Sequence, residues 1–387
     1  MFTIKTLNEI SPIYKETLLP EDYRVSADAE NPDAVLVRSA DMHKLTLPAS
    51  LLAVARAGAG VNNIPTDALA QKGVVVFNTP GANANAVREL AVAALLLSSR
   101  KIIGGIEWVK TLKGAGSEVP KLVEKGKSKF VGPELRGKTL GVIGLGGVGV
   151  LVANAGAGLD MNVIGYDPFV TVEHAWMLSR SVHRVSSQDE LLARSDYVSI
   201  HIPLLDETRG SFNAAAFSKM KKGATLINLS RGELVVNRDV LEAIAERRIR
   251  AYVTDFPEDE LIGEKGVIAI PHLGASTPES EDNCVVMASR QLDEYLRRGA
   301  IKNSVNYPDC ELGDIAGHRI CVLHANVQGV VGAITSRIAA RNINIGGMVN
   351  RSRGKYAYTA LDLDEAVPGD LAAGIRSLDT VYGVRCL

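Results

Sequence analysis

The sequence predicts an α/β chain made of two doubly wound parallel-sheet domains followed by a small βαββαβ tail. Three observations carry this reading. Short apolar runs alternate with segments of helical spacing from the N-terminus to about residue 300, the rhythm of parallel sheets joined by crossover helices. An apolar strand beginning at Thr139 runs directly into a glycine-rich turn. From His318 to Leu387 the order is strand, helix, strand, strand, helix, strand, the ferredoxin-like arrangement.

Bulk properties agree with an ordinary globular enzyme. The 387 residues are 46% hydrophobic and 22% charged, with a formal net charge of -1. Such a charge provides no global field for gathering nucleic acid or an anionic membrane. Anion recognition must then come from a few placed arginines. The four cysteines (Cys284, Cys310, Cys321 and Cys386) form no C-x-x-C pair, so neither a zinc site nor a disulfide framework is expected. They read as scattered core thiols. The N-terminal run MFTIKTLNEISPIYK lacks a basic region followed by a long apolar run, so it is not read as a secretory signal. The apolar stretch Leu90–Ser98 is too short to span a bilayer. A cytoplasmic setting is the expectation, with no metal and no membrane or nucleic-acid partner.

In chain order, Ala34–Val37, Leu52–Arg56 and Val74–Asn78 read as strands, and Val87–Ser99 as a helix buried on most faces. Residues 111–129 lack apolar periodicity and read as a surface connection. A second series follows: TLGVIG, NVIGYD, YVSIHIP, ATLINLS, AYVTDF and GVIAIPH as six strands. Asp189–Arg194, Ala214–Met220 and Asn237–Glu246 are the helices between them, with Asn237 expected as an N-cap. Pro278–Arg298 is a long helix expected to pack on the first hundred residues. The run SVNYPDCELGDIAG carries the proline and glycine of a linker.

The turn Gly144-Leu145-Gly146-Gly147-Val148-Gly149 fits G-x-G-x-x-G between a strand and a small-residue helix. In that context the first glycine permits the tight turn and the second lets backbone approach a pyrophosphate. The third allows close packing of helix on strand. The following strand ends at Asp167, 18 residues beyond Gly149. A carboxylate there accepts from ribose hydroxyls and repels a 2′-phosphate, which favours NAD over NADP. The turn names a nucleotide fold, since FAD and S-adenosylmethionine sites share it, and it does not name a reaction.

Candidates for chemistry stand at strand ends of the second series, where open α/β sheets place ligands. Arg231 follows LINLS; its guanidinium suits a carboxylate held through two parallel bonds. His272 ends GVIAIPH, and an imidazole can take up or return an alcohol proton. A carboxylate beside it would raise its pKa; Glu258, Asp259 and Glu260 all lie in the preceding loop.

Taken in order, RAGAGVNNI (56–64), NTPGANANAVREL (78–90), GLGGVG, INLSRGELV (227–235), DFPEDEL (255–261) and PHLGAS (271–276) resemble the D-isomer-specific 2-hydroxyacid dehydrogenases, over about three hundred residues. Within that family the likeness is to the branch acting on D-3-phosphoglycerate. The resemblance implies a Rossmann-type cofactor domain (97–276) and a flavodoxin-like substrate domain (1–96 and 277–308). It also implies catalytic roles for Arg231 and His272. The family's catalytic glutamate stands five residues beyond an aspartate that contacts the nicotinamide carboxamide; Asp255 matches that aspartate, which implies Glu260. Asp255 directly precedes Phe256, a departure from the commoner loop, so Asp259 stays the runner-up. Cofactor contacts are implied at Thr79, Gly144, Gly146, Gly147, Val148, Gly149, Asp167, Ile202, Pro203, Leu229, Asp255, Gly274 and Ala275. Backbone at Gly58, Ala59 and Gly60 is implied for the substrate carboxylate, and Arg38 and Arg56 for a phosphate.

The tail, 317–387, resembles an ACT regulatory domain, a module that often pairs with a copy and binds an amino acid such as serine. Gln328 stands where that loop usually has proline, while Gly329 keeps the permissive backbone. The function implied is NAD-dependent oxidation of D-3-phosphoglycerate to 3-phosphohydroxypyruvate, the first step of L-serine biosynthesis, by a homodimer or homotetramer. The rivals are a glyoxylate or hydroxypyruvate reductase and, from another class, an NAD-sensing corepressor-like protein.

Overall fold

A computed structural model describes residues 1–387, which divide into two compact units: 1–83 with 278–387, and 84–277.

In the first unit, β1 (Phe2–Leu7), β2 (Tyr23–Ser26), β3 (Ala34–Val37), β4 (Ala53–Arg56) and β5 (Val75–Phe77) form a parallel sheet of order β2-β1-β3-β4-β5. That is the flavodoxin-like order expected. β3 is buried along its whole length, as a strand covered on both faces must be. Alternate residues serve opposite cores: Ala34 and Leu36 face one, Val35 and Val37 the other. The helix Pro278–Arg298 covers the first face with Cys284, Val285, Ala288, Leu292 and Tyr295, as its spacing predicts.

The rest of the first unit is the tail. Strands β13 (His318–Ala325), β14 (Ile345–Arg353), β15 (Tyr356–Leu363) and β16 (Val381–Cys386) pair antiparallel in the order β14-β15-β13-β16. Helices Val330–Ala339 and Gly369–Arg376 cover one face through Ile320, Val322, Ile334, Leu371 and Ile375. The opposite face, with Cys321, Leu323, Tyr356 and Tyr358, joins the core built on the helix Pro278–Arg298. Every residue of β15 is accordingly buried.

The run 304–317 is more than a linker. Asn306 accepts from the Val76 amide at 2.9 Å and donates to the Val74 carbonyl at 3.0 Å. Tyr307 donates to the Ala70 carbonyl at 2.6 Å. Its polar residues satisfy backbone groups at the edge of β5, which is why they are buried.

The second unit holds seven parallel strands in the order β12-β11-β10-β9-β6-β7-β8. These are β6 (Thr139–Ile143), β7 (Asn162–Tyr166), β8 (Val182–Arg184), β9 (Tyr197–Ile200), β10 (Ala224–Asn228), β11 (Ile249–Thr254) and β12 (Val267–Ala269). The Rossmann-type order reverses between β6 and β9, and a crevice opens beyond strand ends at such a point. The helix Ala84–Ser99 belongs to this unit and packs Val87, Ala91, Ala94 and Leu95 against Leu140, Val142 and Val253. Leu96 on its other side is exposed, so the helix is buried on one face rather than most.

Two further expectations are corrected. Residues 102–130 are largely helical, with α-helices Ile102–Lys110 and Val119–Gly126 and 3-10 turns Gly116–Glu118 and Lys127–Phe130. They lie on the surface, as expected, but carry short apolar stripes, Ile102, Ile106 and Val109 in one helix and Val119, Leu122 and Val123 in the other, that stay largely exposed. Asn237 is the first helical residue; Val236 holds the cap position, with no side-chain cap bond. The acidic Asp239 stands in the first turn instead.

Candidate active site

In the second unit the glycine turn links β6 to the helix Gly147–Gly158. Gly144 has φ +88°, and a Cβ there would collide with the His201 carbonyl. A Cβ on Gly149 would collide with the Gly144 carbonyl oxygen, whereas one on Gly146 would meet nothing within 4 Å. The outer glycines are thus required by packing. The space beside Gly146 is open to a ligand, next to the unpaired amides of Gly147 and Val148 at the helix start. Asp167 is anchored to the turn itself: one carboxylate oxygen accepts from the Leu145 amide and the other from the Phe169 amide, both at 2.8 Å.

The ends of β9 to β12 complete this side. Ile202 lies against Gly144, and Pro203 follows it. His201, which sequence reasoning passed over, bonds Ser199 Oγ through Nε2 at 2.8 Å, and burial pushes its pKa down to about 4. Asn228, buried at the end of β10, accepts from the Ser230 amide at 3.1 Å and donates to the Arg231 carbonyl at 2.8 Å. It therefore fixes the backbone of Leu229, Ser230 and Arg231. The Arg231 guanidinium is exposed and bonded only to the Ser230 carbonyl, at 2.6 Å.

Asp255, beyond β11, is fully buried. One of its oxygens accepts from the Gly274 amide at 3.0 Å; the other, Oδ1, has no partner. Burial raises its pKa, opposed by the Gly274 bond and by the charges of His272 and Arg231. Those three side chains are therefore electrostatically coupled. A Cβ on Gly274 would sit 3.1 Å from Asp255 Oδ2, so glycine is what lets this amide reach the carboxylate; Ala275 follows, half-buried. The exposed His272 ring packs on Phe256 at 4.7 Å between centroids.

The structure brings none of the three candidate carboxylates into a hydrogen bond with that ring. Glu260 is exposed in the short turn Asp259–Leu261, pinned by buried Leu261, and Asp259 is exposed beside it. Glu258 instead approaches Gly232, next to Arg231.

In the first unit, Thr79 is fully buried and clipped to the 58–60 loop: its hydroxyl accepts from the Gly58 amide at 2.8 Å, and its amide donates to the Gly58 carbonyl at 3.1 Å. Asn78 donates to the Ala59 carbonyl at 2.6 Å, which fixes the backbone leading to Gly60. Arg56 Nε donates to the Arg38 carbonyl at 3.0 Å, and its guanidinium packs against Gly58. Arg38 is ion-paired with Glu281, in the first turns of the helix Pro278–Arg298. That pairing had no signal in the sequence, since the two residues lie 243 positions apart.

Residues 92–274 match the family model of the D-isomer specific 2-hydroxyacid dehydrogenase, NAD binding domain. The D-3-phosphoglycerate dehydrogenase of Synechocystis sp. is 30% identical over 409 aligned positions, covering 97% of this chain and 70% of that protein. The chain belongs to the D-isomer-specific 2-hydroxyacid dehydrogenase family. Another member, the D-3-phosphoglycerate dehydrogenase of Archaeoglobus fulgidus, is 33% identical over 81% of this chain, which spans only 59% of that protein's length. Among solved 2-hydroxyacid dehydrogenase structures, the NAD+-bound 3-phosphoglycerate dehydrogenase of Entamoeba histolytica matches with TM-score 0.61 at 25% identity, over 79% of this chain and 98% of that one. The D-mandelate dehydrogenase of Rhodotorula graminis shares the fold, with TM-score 0.66 at 23% identity over 78% and 97% of the two chains.

The residues present fit a dinucleotide. The unpartnered Asp255 Oδ1 asks for a donor, which a carboxamide N–H supplies. The open face of Gly146 and the helix amides beside it ask for phosphate oxygens.

Proposed function

We propose that the chain oxidises D-3-phosphoglycerate at C2 to 3-phosphohydroxypyruvate with NAD, the entry to L-serine synthesis. The observation that carries this reading is the buried Asp255, with one oxygen unpartnered, coupled to His272 and Arg231 inside the stretch matched to the NAD binding domain. Identity to D-3-phosphoglycerate dehydrogenases favours the phosphorylated acid.

NAD, when bound, accepts the hydride that leaves C2 with both bonding electrons. The glycine turn (Gly144, Gly146, Gly147, Val148, Gly149) would hold the pyrophosphate and Asp167 the ribose. Thr79, Ile202, Pro203, Leu229, Gly274 and Ala275 would line the rest, and Asp255 would hold the carboxamide. His272 takes the C2 hydroxyl proton as the C–O bond becomes a carbonyl. Arg231 holds the oxygens on C1 and C2, favouring negative charge as it develops. Glu260 would orient His272. Since no such bond exists in this structure, that role requires the 258–261 loop to close on His272, as catalytic hydrogen bonds often do only with substrate present. Amides at Gly58, Ala59 and Gly60 would receive the carboxylate, and Arg56 with Arg38 the phosphate.

The tail would be an ACT-like regulatory domain with a serine site at its 325–329 loop, where Gly329 takes φ +83°. Exposed Ile102, Ile103, Ile106 and Val109 support self-association into a dimer or tetramer. A cytoplasmic location is part of the proposal; no helix is long and apolar enough to cross a membrane. One observation favours the rival reductase acting on glyoxylate or hydroxypyruvate: Glu281 already neutralises Arg38. Turnover of Arg231→Ala tests the shared chemistry. Loss of one transition-state donor should lower kcat by about 10²-fold or more, with NAD affinity by fluorescence titration little changed. Wild-type rates in that variant would remove the assignment.

A further inference from the structure

The guanidinium of Arg231 bonds only to the carbonyl of its own neighbour, Ser230, at 2.6 Å. No other side chain aims it, so its direction follows from the backbone that carries it. Asn228, 0% exposed at the end of β10, holds that backbone. Its Oδ1 accepts from the Ser230 amide at 3.1 Å, and its Nδ2 donates to the Arg231 carbonyl at 2.8 Å and to the Tyr252 hydroxyl at 3.3 Å. The first bond closes a turn that aspartate closes equally well. The other two need a donor, which an ionised aspartate lacks. Tyr252, 1% exposed, is itself bonded to the Thr254 side chain, whose Oγ1 accepts from the Phe256 amide at 3.1 Å. One buried polar chain thus runs from the Arg231 peptide to the peptide that follows Asp255.

We infer, on the role proposed above for Arg231, that Asn228 is a positioning residue: its side-chain donor sets the direction in which Arg231 is presented to the substrate carboxylate. A carboxylate held through two parallel bonds tolerates little angular error, and a misplacement of about 1 Å can lower a rate about a hundredfold. Without the Nδ2 bond the Arg231 carbonyl is free to turn, and the guanidinium turns with it. The loop itself stays anchored, because Ser230 Oγ donates to the Ile200 carbonyl at 2.7 Å. What is lost is the aim of Arg231 rather than the fold. Asn228 touches neither substrate nor cofactor and acts through Arg231.

The experiment is a double-mutant cycle on the full chain. Asn228→Asp keeps the turn acceptor and removes the donor; Asn228→Ser withdraws the donor without burying a charge. Each is made alone and together with Arg231→Ala. Two quantities are read: kcat/KM for the acid that the wild type oxidises, at saturating NAD, and the Kd of oxalate on the NADH-loaded chain by calorimetry. With Arg231 present, both variants should lower kcat/KM and weaken oxalate by about tenfold or more. With Arg231→Ala they should change neither by more than about twofold, because the group they aim is gone. Equal losses in both backgrounds overturn the inference and leave the role of Arg231 intact, since Asn228 then serves the fold alone. Wild-type values in Asn228→Ser overturn it as well. Wild-type values in Arg231→Ala remove the role of Arg231 itself. Oxalate binding is read without turnover, so the cycle holds whichever acid the chain oxidises.

Discussion

His201 shows how one side chain can tie pH to the integrity of the cofactor turn. Its carbonyl backs Gly144, its ring is held by Ser199, and burial keeps it neutral, with its pKa at about 4 against an ordinary value of 6.5. The folded-state pKa is depressed, so the unfolded chain takes up the proton first as pH falls. The stability contribution is whole above 6.5 and is lost progressively down to about 4. His201→Asn, which cannot titrate, should therefore flatten the fall in melting temperature of the wild type between about pH 7 and about pH 5. Parallel slopes for the two proteins in scanning calorimetry would show that the ring titrates as it does in the unfolded chain. At this scale the site was only partly legible. Arg231 and Asp255 follow buried apolar strands, and His272 a half-buried one, and a polar residue stands out after such runs. The loop after Asp255 offers three consecutive acids with no local pattern to separate them; all three are exposed, and only the folded backbone shows that Glu258 lies near Gly232.

The helix Pro278–Arg298 depends on the tail for its C-terminal cap. A helix end leaves carbonyls without intrahelical partners. Arg385 donates to those of Tyr295 and Leu296 at 2.9 and 2.8 Å, and Arg319 to that of Arg298 at 2.9 Å. Tyr358 donates to the Gly299 carbonyl at 2.6 Å. Arg319 is 1% exposed and also grips Asp362 through two bonds, at 2.6 and 2.9 Å. Arg319→Met should cost about 3–5 kcal/mol, because it leaves a buried carboxylate uncompensated. Arg319→Met with Asp362→Leu should cost less, and chemical denaturation midpoints of the two variants check the order. None of this capping could be read from sequence, since it joins residues far apart in the chain. The same limit explains β1 and β2: only Ile4 and Tyr23 are buried along them, so they lack the apolar run that exposed β3, β4 and the strands of the second unit. β8, three residues long and buried nowhere, gave still less signal.

On the scale of the molecule, three sheets were legible in the alternation of strands and helices: a 2-1-3-4-5 sheet, a Rossmann-type sheet and an antiparallel βαββαβ sheet. What the sequence concealed is that the tail shares a core with the first sheet, so its apolar face is spent inside the unit rather than left for a partner. The helix that packs on the tail also carries Glu281, which holds Arg38. The central claim is oxidation of a phosphorylated D-2-hydroxy acid with NAD. It is tested most directly by following NADH absorbance with purified protein and NAD at mildly alkaline pH, comparing D-3-phosphoglycerate with D-glycerate and D-lactate. Absorbance that rises with D-3-phosphoglycerate, and far more slowly with the other two, is the predicted result. No NADH from D-3-phosphoglycerate, with NADH consumed when glyoxylate or hydroxypyruvate is added, would contradict it and assign the chain to the reductases of its family.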